Sequence, residues 1–474
     1  MATTSFLTQE ELKEALGIHP KGLSFSKWLE ERLLKKLKTW PHWKDIGAVA
    51  LGSLARGELC PNSDIDLLLT GSEEPVLKFM QEAQASGVKV RARVPENLKD
   101  WRQGVDLSDI VALFEARSLT ESAKEMLSDQ QKLLSSISIK EKKQMVKELA
   151  KERQSRSLRY KSIVHFLEPN LKYGPGGLRD LDQALFLRRI LPKSFEGQKK
   201  VFQLLEEDRD FLLAVRQWMH LVGNSEVLTA SDQFEIAKLM GFEAASDFAR
   251  QVHLALDRSS FLVDWVFEQI FLTTEAKAYY RTEWAGPAEM LKALKDNMSV
   301  SQQWHVRAHL DKTWRSSKPD LKQVGRWLLS SVYPGAKEGF LKALFRSRLM
   351  EKWIVDLKRI KGYVQHDHYH RYTLEAHIEQ CLLHLNRLYL KPKMMGSLSF
   401  LIRDFQSEDW RIMSLTALYH DLGKGLGGDH STKGAHIVRR DFKKFGFSES
   451  LAEEVAWMVQ NHLVLSTAAF KRNP

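Results

Sequence analysis

The chain has 474 residues, and its 43% hydrophobic and 28% charged content excludes a disordered or fibrous polymer and leaves room for about three domains of roughly 150 residues. Only Cys60 and Cys381 are present, which excludes a disulfide framework and a cysteine-built zinc site, so any metal is expected on histidine and carboxylate. The net charge of +11 favours anionic partners such as nucleotides, acidic proteins or RNA as much as it favours a merely solvated basic surface.

The amino terminus, MATTSFLTQEELKEALG, has no basic region followed by an apolar core, and no apolar run reaches the ~18 residues of a membrane span. A cytoplasmic protein without a membrane partner is the expectation. Residues 8–40 read as helical, with Thr8 and Glu11 spaced as a capping box. Strand character follows at 46–52, 65–69 and 88–94, with a further possible strand at 109–114. Strands alternating with helices predict a small α/β domain ending near residue 125. Helical patterns then dominate, broken by the Pro- and Gly-rich loop at 169–178 and by GKGLGGDHS at 423–431.

LGSLARGELCPNSDIDLLL at 51–69 is the first segment with chemistry in it. On an extended strand Asp64 and Asp66 point the same way, while Ile65, Leu67 and Leu69 fill the other face. Two carboxylates so placed suit Mg²⁺ shared with a triphosphate. Gly52 and Ser53 follow a buried strand and open a helix, where Gly52 permits close backbone approach and Ser53 donates to a phosphate oxygen. Arg56, a turn further on, is placed to neutralise phosphate charge. Solvated aspartates at a strand end are the plainer alternative, and Asp-x-Asp alone is a weak signal. The composite G-S-x-x-R-G-E with D-I-D resembles the nucleotidyltransferase superfamily, which moves NMP from an NTP to a hydroxyl. That resemblance implies a third carboxylate from a later strand. VKVRARV offers none, so Asp106 or Asp109 are the candidates, with Asp106 preferred.

The second segment is rich in histidine. On a helix over 374–388, Leu374, His377, Ile378, Cys381, Leu385 and Leu388 share one face. A helix ending near 421 delivers His420 and Asp421, and His462 shares a face with Val455, Met458 and Val459. A lone interior histidine is more often a satisfied core residue. Several, drawn from separate helices, favour a Mn, Fe, Zn or Mg site without thiolate. Lys424 stands beside the pair, either facing solvent or neutralising a phosphate. The pattern resembles the HD phosphohydrolase superfamily, and in its two-metal members the ligands would extend to His430, with Gly434, and to His462. Those members also carry a closing aspartate, which STAAFKRNP lacks.

EPNLKYGPGGLRDLDQALFL (168–187), ASDQFEIAKLMGF (230–242), VQHDHYHRYTLEAH (364–377) and HDLGKGLGGDHSTKGA (420–435) look like the bacterial bifunctional PII uridylyltransferase/uridylyl-removing family. The resemblance implies an α+β chain: helices at 1–40, a nucleotidyltransferase domain at 41–125, a helical linker or substrate region at 126–345, and an HD domain at 346–474. It implies UMP transfer from UTP to a tyrosine of a PII nitrogen-signalling protein, with hydrolytic removal at the HD domain. Gly52, Ser53, Asp64 and Asp66 would serve transfer with Mg²⁺. His377, His420, Asp421, His430 and His462 would hold Mn²⁺ or Fe²⁺ for removal. The family's glutamine-sensing ACT domains do not follow in this sequence, which reads as a truncated form or a relative without that control. Two alternatives stay open: an RNA 3′-end nucleotidyltransferase, against which the G-S-x-A-R-G-E form counts, and a regulator with an inactive HD half. The GPGGLRD loop is expected to be structural, with Arg179 and Asp180 paired together or facing the cleft.

Overall fold

A computed structural model describes residues 6–93, 107–160, 167–223, 225–273, 284–317, 319–365 and 372–471. The chain divides into two compact units, one of residues 1–163, 168–248 and 255–270, the other of 164–167, 249–254 and 271–474.

The first unit carries a small sheet of β1 (Gly47–Ala50), β2 (Ile65–Thr70), β3 (Val90–Arg93) and β4 (Arg117–Ser118), in the order β3-β2-β1-β4. β1 runs antiparallel to β2 and β4, and β2 runs parallel to β3. All four residues of β1 are buried, as are Ile65, Leu67, Leu68 and Leu69 of β2, so apolar side chains fill both faces of the strands. Parallel β2 and β3 need a crossover, and the helix Glu73–Ala85 supplies it, its Phe79 packed on Trp40 and Trp43. Thr8 and Glu11 form the expected capping box on the helix Gln9–Ile18.

The possible strand at 109–114 is instead part of the helix Leu107–Glu115. A short apolar run fits either form, and tertiary packing decides: Leu113 and Ala116 join Val49, Leu51 and Leu68 in one apolar cluster. The chain pairs as β4 only after that helix, at Arg117 and Ser118.

The loop at 169–178 is irregular as expected, and buried charge fixes its shape. Asp180, fully buried, accepts from Gly176 N–H at 2.8 Å and from Arg156 at 2.9 and 3.0 Å, and pairs with Arg153 at 3.1 Å. Gly176 has φ +73°, and a Cβ there would lie 2.0 Å from the Leu256 carbonyl oxygen, so no larger residue fits. Gln217, on the helix Lys199–Val222, donates to Gly22 O, Ser26 Oγ and Leu59 O, which ties the second N-terminal helix to the segment before β2.

Among the described residues of the second unit the regular elements are all helices. The helices of 287–346 share one apolar core with those of 374–461, from Met290 and Leu294 through Leu344 and Ile378 to Val438 and Val459. After the helix Ser407–Tyr419 the glycine-rich segment turns the chain through positive φ at Gly425, Gly427 and Gly428. Asp429 then caps the helix His430–Phe445 by accepting from Ser431 and Thr432 N–H. Among the described residues no helix is long and apolar enough to cross a membrane.

Candidate functional site

In the first unit Gly52, Ser53, Asp64 and Asp66 line one cavity of about 460 Å³. Strand pairing brings the two motifs together. Ala50 at the end of β1 faces Leu67 near the start of β2, and Leu51 N–H donates to Asp66 O at 2.9 Å. Gly52 then opens the short helix Gly52–Arg56 at φ +54°, and a Cβ there would lie 2.8 Å from Asp66 Oδ2. The backbone at Gly52 thus reaches the carboxylate because no side chain intervenes.

Asp64 is already countered. Its carboxylate pairs with Lys89 Nζ at 2.5 Å and with Arg91 at 2.6 Å. β3 lies in parallel register with β2, Asp66 opposite Arg91, so a basic row stands beside the acidic row. The signal in the sequence is that VKVRARV, which offers no acid, alternates bases at its polar positions.

Arg56 does not stand free for phosphate. Its guanidinium bonds Glu58 at 2.7 Å and Glu115 at 2.8 Å and pairs with Asp182 at 3.0 Å. Burial works against its charge, and Asp182 and Glu115 more than offset that. Arg179, expected to be structural, lines the cavity, and its side chain makes no hydrogen bond or ion pair among the described residues. Lys172 and Arg216 line it as well. Asp106 lies outside the described residues, and the side chain of Asp109 is not described. The later carboxylates seen on the cavity wall are Glu115, Glu152 and Asp182.

In the second unit the five predicted donors meet. His377 Nε2 lies 3.1 Å from His420 Nε2, and Asp421 Oδ2 lies 3.3 Å from His420 Nε2 and 3.7 Å from His377 Nε2. The other oxygen, Oδ1, lies 3.8 Å from His430 Nε2 and 3.7 Å from His462 Nε2. Backbone carbonyls set two of the rings: His420 Nδ1 contacts Ala417 O at 2.9 Å and His462 Nδ1 contacts Val459 O at 2.7 Å. A ring that donates through Nδ1 leaves Nε2 as the lone-pair nitrogen, and both Nε2 atoms face the cluster.

Two glycines permit the convergence. A Cβ on Gly423 would lie 2.0 Å from His430 O, and one on Gly434 would lie 2.8 Å from Val459 Cγ1. The start of the His430–Phe445 helix therefore nests against the chain after Asp421, and Gly434 lets it approach the helix Glu449–Asn461 that ends at His462.

The electrostatics suit a cation. Burial disfavours the Asp421 charge, yet the adjacent His420 ring and the Lys424 ammonium hold its carboxyl well below the usual range. Burial lowers His430 and His462, which favours the neutral form of each ring, the form that binds metal. Asp421 Oδ1 and His430 Nε2 are buried without hydrogen-bond partners, an arrangement a bound metal ion would satisfy. His377 and Cys381 are half-buried at the rim of this cluster rather than sunk in the core.

The chain matches three family models: a nucleotidyltransferase domain over residues 30–152, a GlnD PII-uridylyltransferase over 144–271, and an HD domain over 375–471. It is 27% identical to the bifunctional uridylyltransferase/uridylyl-removing enzyme of Ectopseudomonas mendocina (strain ymp), over 94% of this chain and 56% of that protein. Enzymes of the same name from Haemophilus influenzae and Azotobacter vinelandii are each 26% identical, over 91% and 92% of this chain and 57% and 54% of theirs. The chain spans about half the length of these curated relatives.

Proposed function

We propose, for a chain related to the bifunctional uridylyltransferase/uridylyl-removing enzymes along nearly its whole length, that the first unit transfers UMP from UTP and the second removes it. The acceptor is a tyrosine hydroxyl of a PII-type signalling protein, and the reaction takes place in the cytoplasm. The kinship favours this over an RNA 3′-end enzyme. The observation that carries the reading is the cavity in which Gly52, Ser53, Asp64 and Asp66 meet.

For transfer, the Gly52–Ser53 backbone and the Ser53 hydroxyl hold the triphosphate, and Asp64 and Asp66 hold Mg²⁺. Bound there, magnesium supplies charge neutralisation at the phosphates. Arg179 and Arg91 bring positive charge to the same cavity. The chain's part is positioning and electrostatic complementarity for an in-line displacement.

For removal, His377, His420, Asp421, His430 and His462 hold divalent metal, Mn²⁺ or Fe²⁺. The metal supplies Lewis acidity and a water of lowered pKa. Lys424, 2.8 Å from Asp421 and 2.8 Å from Gln365 Oε1, stands where it can meet the phosphate of the uridylylated tyrosine.

The test is a pulse of labelled UTP with candidate PII proteins, with and without Mg²⁺, followed by a chase with Mn²⁺. Label should enter the PII tyrosine and then leave as UMP. Label that appears on tRNA instead, or nowhere, overturns the reading.

A further inference from the structure

The histidine cluster contains a donor outside the histidine–carboxylate set. Cys381 lies four residues past His377 on the helix Leu374–Leu390, on the same face, with Sγ 3.7 Å from His377 Nε2. That nitrogen is 3.1 Å from His420 Nε2, whose ring the Ala417 carbonyl orients. Donor atoms of His377, Cys381 and His420 all lie within 4.8 Å of one another.

Bond lengths of about 2.0 Å to nitrogen and about 2.3 Å to sulfur place tetrahedral donors about 3.3–3.6 Å apart. The separations of 3.1 and 3.7 Å need only a few tenths of an ångström of adjustment. Asp421 Oδ2 lies beside two of these three donors, at 3.3 Å from His420 Nε2 and 3.7 Å from His377 Nε2. Its other oxygen turns to His430 and His462, a second donor group within 4.8 Å. Asp421 is 2% exposed, and that Oδ1 has no hydrogen-bond partner, an independent sign that the cluster is built around a cation.

We propose that Cys381 is a metal ligand, which with His377, His420 and Asp421 makes a sulfur-containing set that selects a thiophilic ion such as Zn²⁺ or Fe²⁺ in that half of the site. The proposal rests on the metal-dependent removal reading and deepens it. Thiolate favours Zn²⁺ and Fe²⁺ over Mg²⁺ and Mn²⁺, whereas the sulfur-free half formed by Asp421 Oδ1, His430 and His462 carries no such preference. On binding, the thiol proton leaves to solvent and one sulfur–metal bond forms. Cysteine thus enters the metal chemistry of a chain whose two thiols are too few for a cysteine-built site.

The test is a Co²⁺ titration of the whole chain after chelator treatment, read by absorbance. The wild-type protein should show the near-ultraviolet thiolate-to-cobalt charge-transfer band together with visible d–d bands. Cys381→Ser should lose the charge-transfer band and keep the d–d bands, which also shows that the variant folds and still binds cobalt through its histidines. Cys60→Ser should keep both. The Co²⁺ affinity of Cys381→Ser should fall by about tenfold or more, with Mn²⁺ affinity changing far less. A wild-type spectrum with d–d bands alone, or a charge-transfer band that survives in Cys381→Ser, overturns the thiolate ligand and leaves the removal reading standing. Absence of every cobalt band in the wild-type protein overturns both.

Discussion

At the sheet, acids on the cavity wall are met by built-in cations: Asp64, which would hold a metal, by Lys89 and Arg91, and Glu115 and Asp182 by Arg56. In the helical unit Asp421 has one lysine beside it among the described residues, Lys424, and otherwise faces imidazoles set by main-chain carbonyls. The difference is one of exchange against pre-formation. A carboxylate paired with arginine and lysine would have to give up those partners to hold magnesium, and the released cations would be available to a phosphate. His430 and His462, whose protonation burial disfavours, have no such ion pair with a cation to trade. The sheet site should therefore couple metal and nucleotide binding, whereas the helical site should take metal alone.

The largest effects separate the two sites. Asp66→Ala should lower UMP transfer by about 10³-fold or more and leave removal intact. Asp421→Ala should do the reverse, since it takes away the carboxylate that, among the described residues, faces both donor groups. Labelled-UTP incorporation and UMP release, measured on each variant, check this. Loss of both activities in either variant would mean the sites are not independent. A smaller effect is expected from Gly52→Ala. The new Cβ, 2.8 Å from Asp66 Oδ2 and at φ +54°, pushes that carboxylate aside, and a displacement of this kind costs about 10²-fold in kcat. A Gly52→Ala enzyme with unchanged kcat would show that the Gly52–Asp66 contact plays no part in transfer.

What could be read from the sequence, and what could not, follows the range of each signal. Asp64 with Asp66 is a period-two pattern, and His377, His420 and His462 sit on helical stripes, so short windows suffice to find them. The apolar run at 109–114 has no such resolving pattern, and its helix is chosen by packing on β1 and β2. Arg56 reads locally as a phosphate ligand because its partners Glu115 and Asp182 lie in distant parts of the chain. Cys381 was visible one turn from His377, but a cysteine on a buried stripe reads as core until its neighbours across the fold are known. Arg179 and Asp180, adjacent in sequence, separate into a cavity cation and a buried anchor, a distinction only the loop geometry makes.

The exchange argument itself is tested at β3. Lys89 and Arg91 are 49% and 66% exposed, so screening limits what each contributes. Arg91→Ala should raise the KM for UTP by up to about tenfold with little change in kcat, while Mg²⁺ binding in the absence of nucleotide tightens because Asp64 has lost a competitor. Mg²⁺ binding that stays unchanged while KM rises would reduce Arg91 to a phosphate contact without a latch. Arg179→Ala, which releases no carboxylate, should raise KM alone.

The smallest expected effect concerns acid stability, and it belongs to the sheet unit. His220 is buried, and burial lowers it below the ordinary histidine range. Its Nδ1 accepts from the Asn62 N–H at 3.1 Å, a bond that a protonated ring cannot make, and Asn62 lies two residues before Asp64. Because the folded pKa is below the unfolded value of about 6.5, the unfolded chain takes up the proton more readily. The contribution of His220 is therefore complete above about pH 6.5 and shrinks as pH falls toward the folded value. Glu226, held well below the carboxylate range, opposes burial through its hydrogen bonds from Arg216 and His220, and its contribution persists until far more acid pH. The melting temperature should thus drop by a few degrees between about pH 7 and pH 5, measured with metal bound so that the helical-site imidazoles stay coordinated. His220→Gln should flatten that slope. A wild-type curve already flat over this interval would mean that the ring stays neutral or is charged in both states, and the Asn62 contact would then carry no pH dependence into the loop that presents Asp64.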